Sequence, residues 1–125
     1  MKVEWNTGLF THLGIEFVEV TPERVVARLK VSDKLMTVGG TLHGGTLMAF
    51  ADSVGAAGTV ANLAEGQRTA TLESKTNFIA GCRSGTVQAE AKPIHKGKRT
   101  HVWETRITDE SGKLLSVTTQ TQMIL

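Results

Sequence analysis

The residues best suited to chemistry in this chain are one acid and one tripeptide. Asp52 is the only formally charged side chain among the thirty residues between Lys34 and Glu65, LMTVGGTLHGGTLMAFADSVGAAGTVANLA. His43-Gly44-Gly45 precedes it, with the His nine positions upstream. A carboxylate inside an apolar, small-residue segment is costly to bury unless it is paired or put to use. Gly44 and Gly45 at the start of a helix would offer backbone N–H groups, unobstructed by side chains, to an oxygen gaining negative charge. His43, beside the positive end of that helix, is disfavoured as a cation and is expected as a neutral hydrogen-bonding group. Plainer roles stay open on the residues alone. The glycines would also serve a close turn, and Asp52 would also rest against hydroxyls or a cation.

The elements that must position these residues follow from periodicity. Leu47, Phe50, Ala51, Val54, Ala57, Gly58 and Ala61 recur at three- and four-residue spacing, which predicts a helix from about Gly45 to Ala64. Its other faces, Met48, Ala49, Ser53 and Ala56, are nearly as small and uncharged, so other elements should wrap most of it. Residues around Trp5 to His12 read as a short helix ending near Gly14. From Ile15 the period is two. Val25, Ala27, Leu29 and Val31 alternate with Val26, Arg28 and Lys30, after a turn at Thr21-Pro22-Glu23. Thr69 to Ile79, Thr86 to Ile94, Thr100 to Thr108 and Leu114 to Ile124 read as further strands. Gly81 to Gly85, Lys96-Gly97-Lys98 and Asp109 to Gly112 read as hairpin turns between them. The class is α+β: a five- to six-stranded antiparallel sheet wrapped around a long central helix, with a short N-terminal helix, in a single domain over residues 1–125.

The helix carries a second consequence. Nine helical residues turn roughly 900°, half a revolution beyond two turns, and rise about 13.5 Å. With both residues helical, Asp52 and His43 face opposite ways and do not meet within one chain. They meet across a two-fold axis, so the spacing predicts a homo-oligomer with two identical composite sites.

Composition excludes several classes. The chain has 125 residues, 40% hydrophobic and 21% charged, with a net charge of +2, too small to argue for nucleic acid. Cys82 is the single cysteine, so no intrachain disulfide forms and no Cys/His zinc spacing exists; no metal is expected. MKVEWNTGLF lacks the apolar core of a signal peptide, and Asp52, Asn62 and several glycines interrupt the central stretch, so neither export nor a membrane span is expected. A cytoplasmic protein is the default.

Gly39-Gly40-Thr41-Leu42-His43-Gly44-Gly45, with Asp52 following in an Ala/Gly-rich helix, resembles the hotdog-fold acyl-CoA thioesterases. It is most similar to the phenylacetate-pathway and Arthrobacter-type 4-hydroxybenzoyl-CoA branch. The resemblance extends over Lys75-Thr76-Asn77-Phe78, Ile94-His95-Lys96-Gly97-Lys98-Arg99 and Asp109-Glu110-Ser111-Gly112-Lys113-Leu114. It implies hydrolysis of an acyl-CoA thioester without a metal or other cofactor, in a dimer or dimer of dimers. The implied roles are Gly44 N–H polarising the carbonyl, Asp52 as nucleophile or general base, and His43 orienting the thioester or the water. Thr71 falls near the hydroxyl that some relatives use to hold the attacking water.

Gly45 and Asn77 join the implied substrate-binding set, and so does Thr37, which stands where relatives place an Asn or Gln amide. His95, Lys96, Lys98 and Arg99 would hold the CoA phosphates, with Arg83 adding to them. Their plainer reading is a solvated hairpin. No aromatic platform accompanies these cations, and Trp103 is expected to pack in the sheet, which leaves nucleic acid disfavoured. Two other functions share this fold class: a hydroxyacyl dehydratase or hydratase, against which the His-Gly-Gly to Asp52 spacing argues, and a non-catalytic acyl-CoA-binding protein, against which a retained Asp52 argues.

Overall fold

The computed structural model describes residues 3–125. Helix α1 (Gly8–Leu13) leads into strands β1 (Ile15–Thr21) and β2 (Arg24–Lys30), and a single 3-10 turn (Asp33–Leu35) precedes helix α2 (Gly44–Val60). Strands β3 (Thr69–Phe78), β4 (Thr86–Lys96), β5 (Thr100–Thr108) and β6 (Leu114–Ile124) complete the chain. All six strands form one antiparallel sheet in the order β1-β2-β4-β5-β6-β3, and α2 packs against every strand of it. This is the hotdog architecture: a long helix held in a curved sheet.

Gly14 ends α1 in the left-handed conformation (φ 76°), which a residue without Cβ adopts at no steric cost, and β1 starts at the next residue. The helix begins later than Trp5; Trp5 instead packs with Phe10 and Phe17, ring centroids 5.4 and 4.9 Å away, as a plug over one end of the core. On β2, Val26 is buried like Val25 and Ala27, although period two assigns it to the solvent side with Arg28.

Two connections differ from the sequence reading. The segment Gly81 to Gly85 is not a hairpin turn, because β3 pairs with β6 and β4 pairs with β2 and β5. It is a crossover between non-adjacent strands. Helix α2 stops at Val60 rather than Ala64: the Asn62 side chain donates to the Gly58 carbonyl (2.8 Å) and to Pro22 O (3.0 Å), tying the helix end to the β1–β2 turn.

The core lies between α2 and the sheet, with Phe50, Val54, Leu29, Trp103, Ile107 and Leu115 essentially without exposure. Gly55 and Gly58 are in α2 because the sheet reaches the helix backbone there. A Cβ on Gly58 would lie 2.4 Å from the Trp103 ring, and one on Gly55 would lie 2.1 Å from Gln120 Oε1. Trp103 packs in the sheet as expected, and its Nε1 donates to Thr59 Oγ1 (3.0 Å).

Candidate active site

The start of α2 is fixed by main-chain groups. The Leu35 carbonyl accepts from both His43 N–H (3.0 Å) and Thr46 Oγ1 (2.9 Å), pinning the helix to the preceding 3-10 turn. Between them the chain makes a tight loop. Thr37 N–H donates to Thr41 O (2.8 Å), Gly39 and Gly40 take φ of 88° and 80°, and Arg83 Nη1 donates to Gly39 O (2.8 Å). Thr37 shapes this loop through its backbone, and among the described residues its hydroxyl has no hydrogen-bond partner. Arg83 is therefore a brace at the N-terminal end of α2, far from the basic turn it was expected to join.

His43 is the N-cap, in extended conformation (φ −62°, ψ 136°), and its Nδ1 accepts from Gly45 N–H at 2.7 Å. In this bond Nδ1 is the acceptor, which leaves Nε2 as the nitrogen of the ring that can donate to a ligand. The same bond corrects the expectation for Gly45: its N–H is occupied by His43 and is not offered to a ligand. Among the described residues Gly44 N–H has no acceptor. It opens onto an apolar recess of about 360 Å3 lined by Leu42, Leu47, Phe78, Ile79 and Ala80. A Cβ on Gly44 would lie 3.1 Å from Phe78 Cε1, so the missing side chain leaves that N–H open beside the ring.

Asp52 lies on the partly exposed stripe of α2 with Met48, Ala49, Ser53 and Ala56. Thr71 Oγ1 donates to its Oδ1 at 2.7 Å, and Gln120 Nε2 donates to Oδ1 at 3.1 Å and to the Asp52 carbonyl at 3.2 Å. Gln122 Nε2 in turn donates to Thr71 Oγ1 at 2.6 Å. Thr71 is thus a partner of the carboxylate, and its proton is committed there rather than to a water. A register shift between Thr71 and Glu73 on β3 makes this arrangement possible. It keeps Thr71 opposite Gln122 and Ser74 opposite Gln120, all toward the helix, where unbroken alternation would turn Glu73 inward. A small recess of about 270 Å3, lined by Met48, Ala49, Asp52, Thr71 and Ser74, opens beside the carboxylate.

His43 and Asp52 do not lie on opposite faces of one helix, as nine helical residues would place them. His43 is outside the helix, so its side chain does not follow the helical period, and Gly45 shares the outer stripe with Asp52. What separates the Gly44 N–H from Asp52 is the axial rise, about 12 Å over eight residues. The two halves are apart within one protomer by distance, not by facing.

Other expected residues lie elsewhere. Asn77 is on the outer face of β3, its Oδ1 accepting from Lys75 Nζ (2.9 Å), and does not join Asp52 or Gly44. Strand β4 runs through His95 and Lys96, past the expected end at Ile94. Lys96 is ion-paired with Glu23 and contacts Asn62 Oδ1 (3.2 Å), so it is a clasp to the end of α2 rather than a free phosphate ligand. Lys98 and Arg99 are exposed on the turn, and among the described residues neither enters an ion pair. His95 is also exposed, packed against Gly97. His101 is buried with Nδ1 3.2 Å from Thr59 Oγ1; burial, then the charges of Lys96 and His95, lowers its pKa below the usual histidine range.

The sequence reading missed Gln120 and Gln122. Their signal was present but slight: two glutamines at period two continuing the polar series Ser116 and Thr118 on the strand. Among the described residues no group of three His, Cys, Asp or Glu side chains is arranged to hold a metal ion, and no helix is long and apolar enough to cross a membrane.

Comparison with known proteins agrees with this geometry. Residues 39–116 match the thioesterase superfamily. A 1,4-dihydroxy-2-naphthoyl-CoA hydrolase of Listeria monocytogenes is 37% identical over 110 residues, covering 88% of this chain and 89% of the relative. The crystal structure of a Haemophilus influenzae thioesterase superposes with a TM-score of 0.90 at 32% identity, covering 94% of this chain and 82% of that one. AziG of S. sahachiroi superposes with a TM-score of 0.92 at 28% identity, covering 95% and 97%. The hotdog fold, the His43-Gly44-Gly45 helix start and the match over more than half its length together show that the chain belongs to the thioesterase superfamily and is a thioester hydrolase.

Proposed function

We propose that the protein hydrolyses an acyl-CoA thioester in a site shared between two subunits. The observation that carries this is the pair of halves on α2: an unoccupied Gly44 N–H at the helix start and a hydrogen-bonded Asp52 carboxylate about 12 Å along the axis. The thioester carbonyl accepts from Gly44 N–H at the positive end of the helix, where negative charge growing on its oxygen is stabilised. Asp52 of a second subunit supplies the oxygen nucleophile, directly or by taking a proton from water. In the direct route the new O–C bond replaces the C–S bond, leaving an anhydride on Asp52 that water then cleaves to the free acid and the restored carboxylate; in the water route the hydroxide oxygen replaces the sulfur and the acid forms at once. In both, the CoA thiolate leaves and takes a proton that comes from the water consumed. His43, with Nδ1 bound to Gly45, presents its Nε2–H to the thioester.

The shared site needs a homo-oligomer, and β3 supports one. It is an edge strand of ten residues with exposed Leu72, Phe78 close to Gly44, and the small-residue stripe of α2 alongside. A long unprotected edge invites pairing. A second copy added antiparallel to β3 runs the two α2 helices in opposite directions, and the start of each then approaches the middle of the other. The turn that carries Lys98 and Arg99 follows Lys96, which reaches Asn62 at the end of α2, and these exposed cations are the ones left free for the CoA phosphates. The Listeria relative's name gives an aromatic acyl group, which makes aryl-CoA esters the first substrates to try.

The test is thiol release from a panel of aryl-, short- and medium-chain acyl-CoA esters, with Asp52→Ala as control and light scattering on both proteins. Turnover by the wild type, its loss in the variant, and a dimer or larger species in both are expected. A monomer, or a variant retaining near-full turnover, refutes the shared site.

A further inference from the structure

We infer that Gln120 and Gln122 of β6 are positioning residues that lock the Asp52 carboxylate through Oδ1 and leave Oδ2 as its reacting oxygen. This rests on the reading of Asp52 as the catalytic carboxylate.

Burying a glutamine is unfavourable unless its amide is matched, and here Gln120 is 1% and Gln122 0% exposed; Gln120 Oε1 is buried without a partner among the described residues, so its bonds to Asp52 through Nε2 are the only ones its amide makes there. Their donors converge on Asp52. Gln120 Nε2 reaches Oδ1 (3.1 Å) directly, and Gln122 reaches it through Thr71. The direction of this relay follows from the chemistry of its atoms. A carboxylate oxygen only accepts, so the single hydroxyl proton of Thr71 goes to Oδ1, 2.7 Å away. Thr71 Oγ1 then needs a donor, which is Gln122 Nε2 (2.6 Å), and Gln122 Oε1 lies 2.9 Å from Thr69 Oγ1, whose one proton it shares with Met123 O, also at 2.9 Å. Turning either amide over would set two acceptors against each other.

Both donors meet the same oxygen. Among the described residues Oδ2 receives none, so it is the oxygen left free for a reacting group, and the carboxylate lines a recess with Met48, Ala49 and Ser74. The fold is adapted to this. The β3 register shift turns Thr71 inward, and Gly55 leaves the space that the Gln120 amide fills. A carboxylate held at one oxygen loses its freedom to rotate and meets the reacting atom in one geometry.

Gln122 does not touch Asp52, which yields a test that a merely structural role fails. Steady-state thiol release is measured for Gln120→Met, Gln122→Met, Thr71→Val, Thr71→Ser and the double variant Gln122→Met/Thr71→Val. Each of the first three is expected to lower kcat about tenfold with KM within about twofold. Thr71→Ser, which keeps the hydroxyl, is expected to hold wild-type kcat within about threefold. In the Thr71→Val background, Gln122→Met is expected to cost less than about twofold more, because its route to Asp52 is already cut. An equal loss from Gln122→Met in both backgrounds, or a change in KM instead of kcat, overturns the relay. The side-chain amide signals of the folded wild type in 15N spectra give a second readout that does not need turnover. Gln120 and Gln122 are expected to show slowly exchanging Nε2 protons, with the Gln120 signal moving in Asp52→Asn and the Gln122 signal in Thr71→Val. Rapid exchange, or signals that stay in place, overturns the relay. A wild type that hydrolyses no CoA ester but shows these amide signals sinks the functional reading alone.

Discussion

Gly55→Ala separates the stability of α2 from the work of the site. An added Cβ would lie 2.1 Å from Gln120 Oε1, 2.5 Å from its Cδ and 3.0 Å from Nε2, well inside the 3.5 to 4.0 Å of a normal contact. The atoms met are the end of a side chain, which turns away more readily than a ring or a strand. In turning, Gln120 gives up both bonds to Asp52, at 3.1 and 3.2 Å. A hydrogen bond to a charged group contributes about 1.5–3 kcal/mol, so a loss felt in the transition state lowers kcat by about tenfold to a hundredfold. Stability moves less, because alanine in a helix interior gains about 1 kcal/mol over glycine and offsets part of the lost bonding, leaving a net loss of about 0.5–2 kcal/mol. Unfolding in urea should therefore show a loss of no more than about 2 kcal/mol, while thiol release from an acyl-CoA ester falls sharply at unchanged KM. Wild-type kcat in this variant would refute the claim that Gln120 holds Asp52.

Gly58→Ala should behave in the opposite way. Its Cβ would meet three Trp103 ring carbons at 2.4 to 2.6 Å, and that rigid, fully buried ring is tied to Thr59, so overpacking of about 1–3 kcal/mol plus the strained Trp103–Thr59 bond outweighs the helix gain. The urea midpoint should fall, and Trp103→Phe, which removes those ring atoms, should cancel the further loss; an unchanged midpoint in Gly58→Ala contradicts the packing. Stability should also fall with acid before the carboxylates titrate. His101 has a folded-state pKa below its ordinary 6.5, so the unfolded chain takes up a proton that the folded protein refuses. That stability is full above the unfolded pKa and is lost as pH falls from there toward the folded value. Urea midpoints at about pH 7.5 and about pH 5.5 should differ, and His101→Gln should flatten the difference. Neutralising Lys98 and Arg99 to Gln should raise KM for CoA esters by about tenfold and leave kcat near wild type, the signature of lost uniform binding to phosphate; an unchanged KM assigns the turn to solvent.

The reaction class was legible in the chain because its signals are local. A helix start is written in a few consecutive residues, so His43-Gly44-Gly45 could be read as an open N-terminus with His43 as a hydrogen-bonding group beside it. Asp52 stood out because one charge among thirty residues is a composition fact. Strands β5 and β6 were bounded correctly because period two and turn residues are also short-range. The sequence could not say which strand lies beside which. Pairing joins residues some fifty positions apart, and so Gly81 to Gly85 read as a hairpin when it is a crossover.

The tertiary structure decided what surrounds the acid. Thr71, Gln120 and Gln122 reach Asp52 only because β3 and β6 pair in one register, shifted once near Leu72, under a helix lacking a side chain at Gly55. The fold also reassigned residues whose types had suggested binding. Lys96 turned to Glu23, Asn77 to Lys75 and Gly45 to His43, since each met a nearer partner. Residue type and spacing determine what chemistry a chain can offer. Which groups are free to perform it is a matter of three-dimensional competition for hydrogen bonds, and that competition is settled by contacts between positions far apart in the sequence.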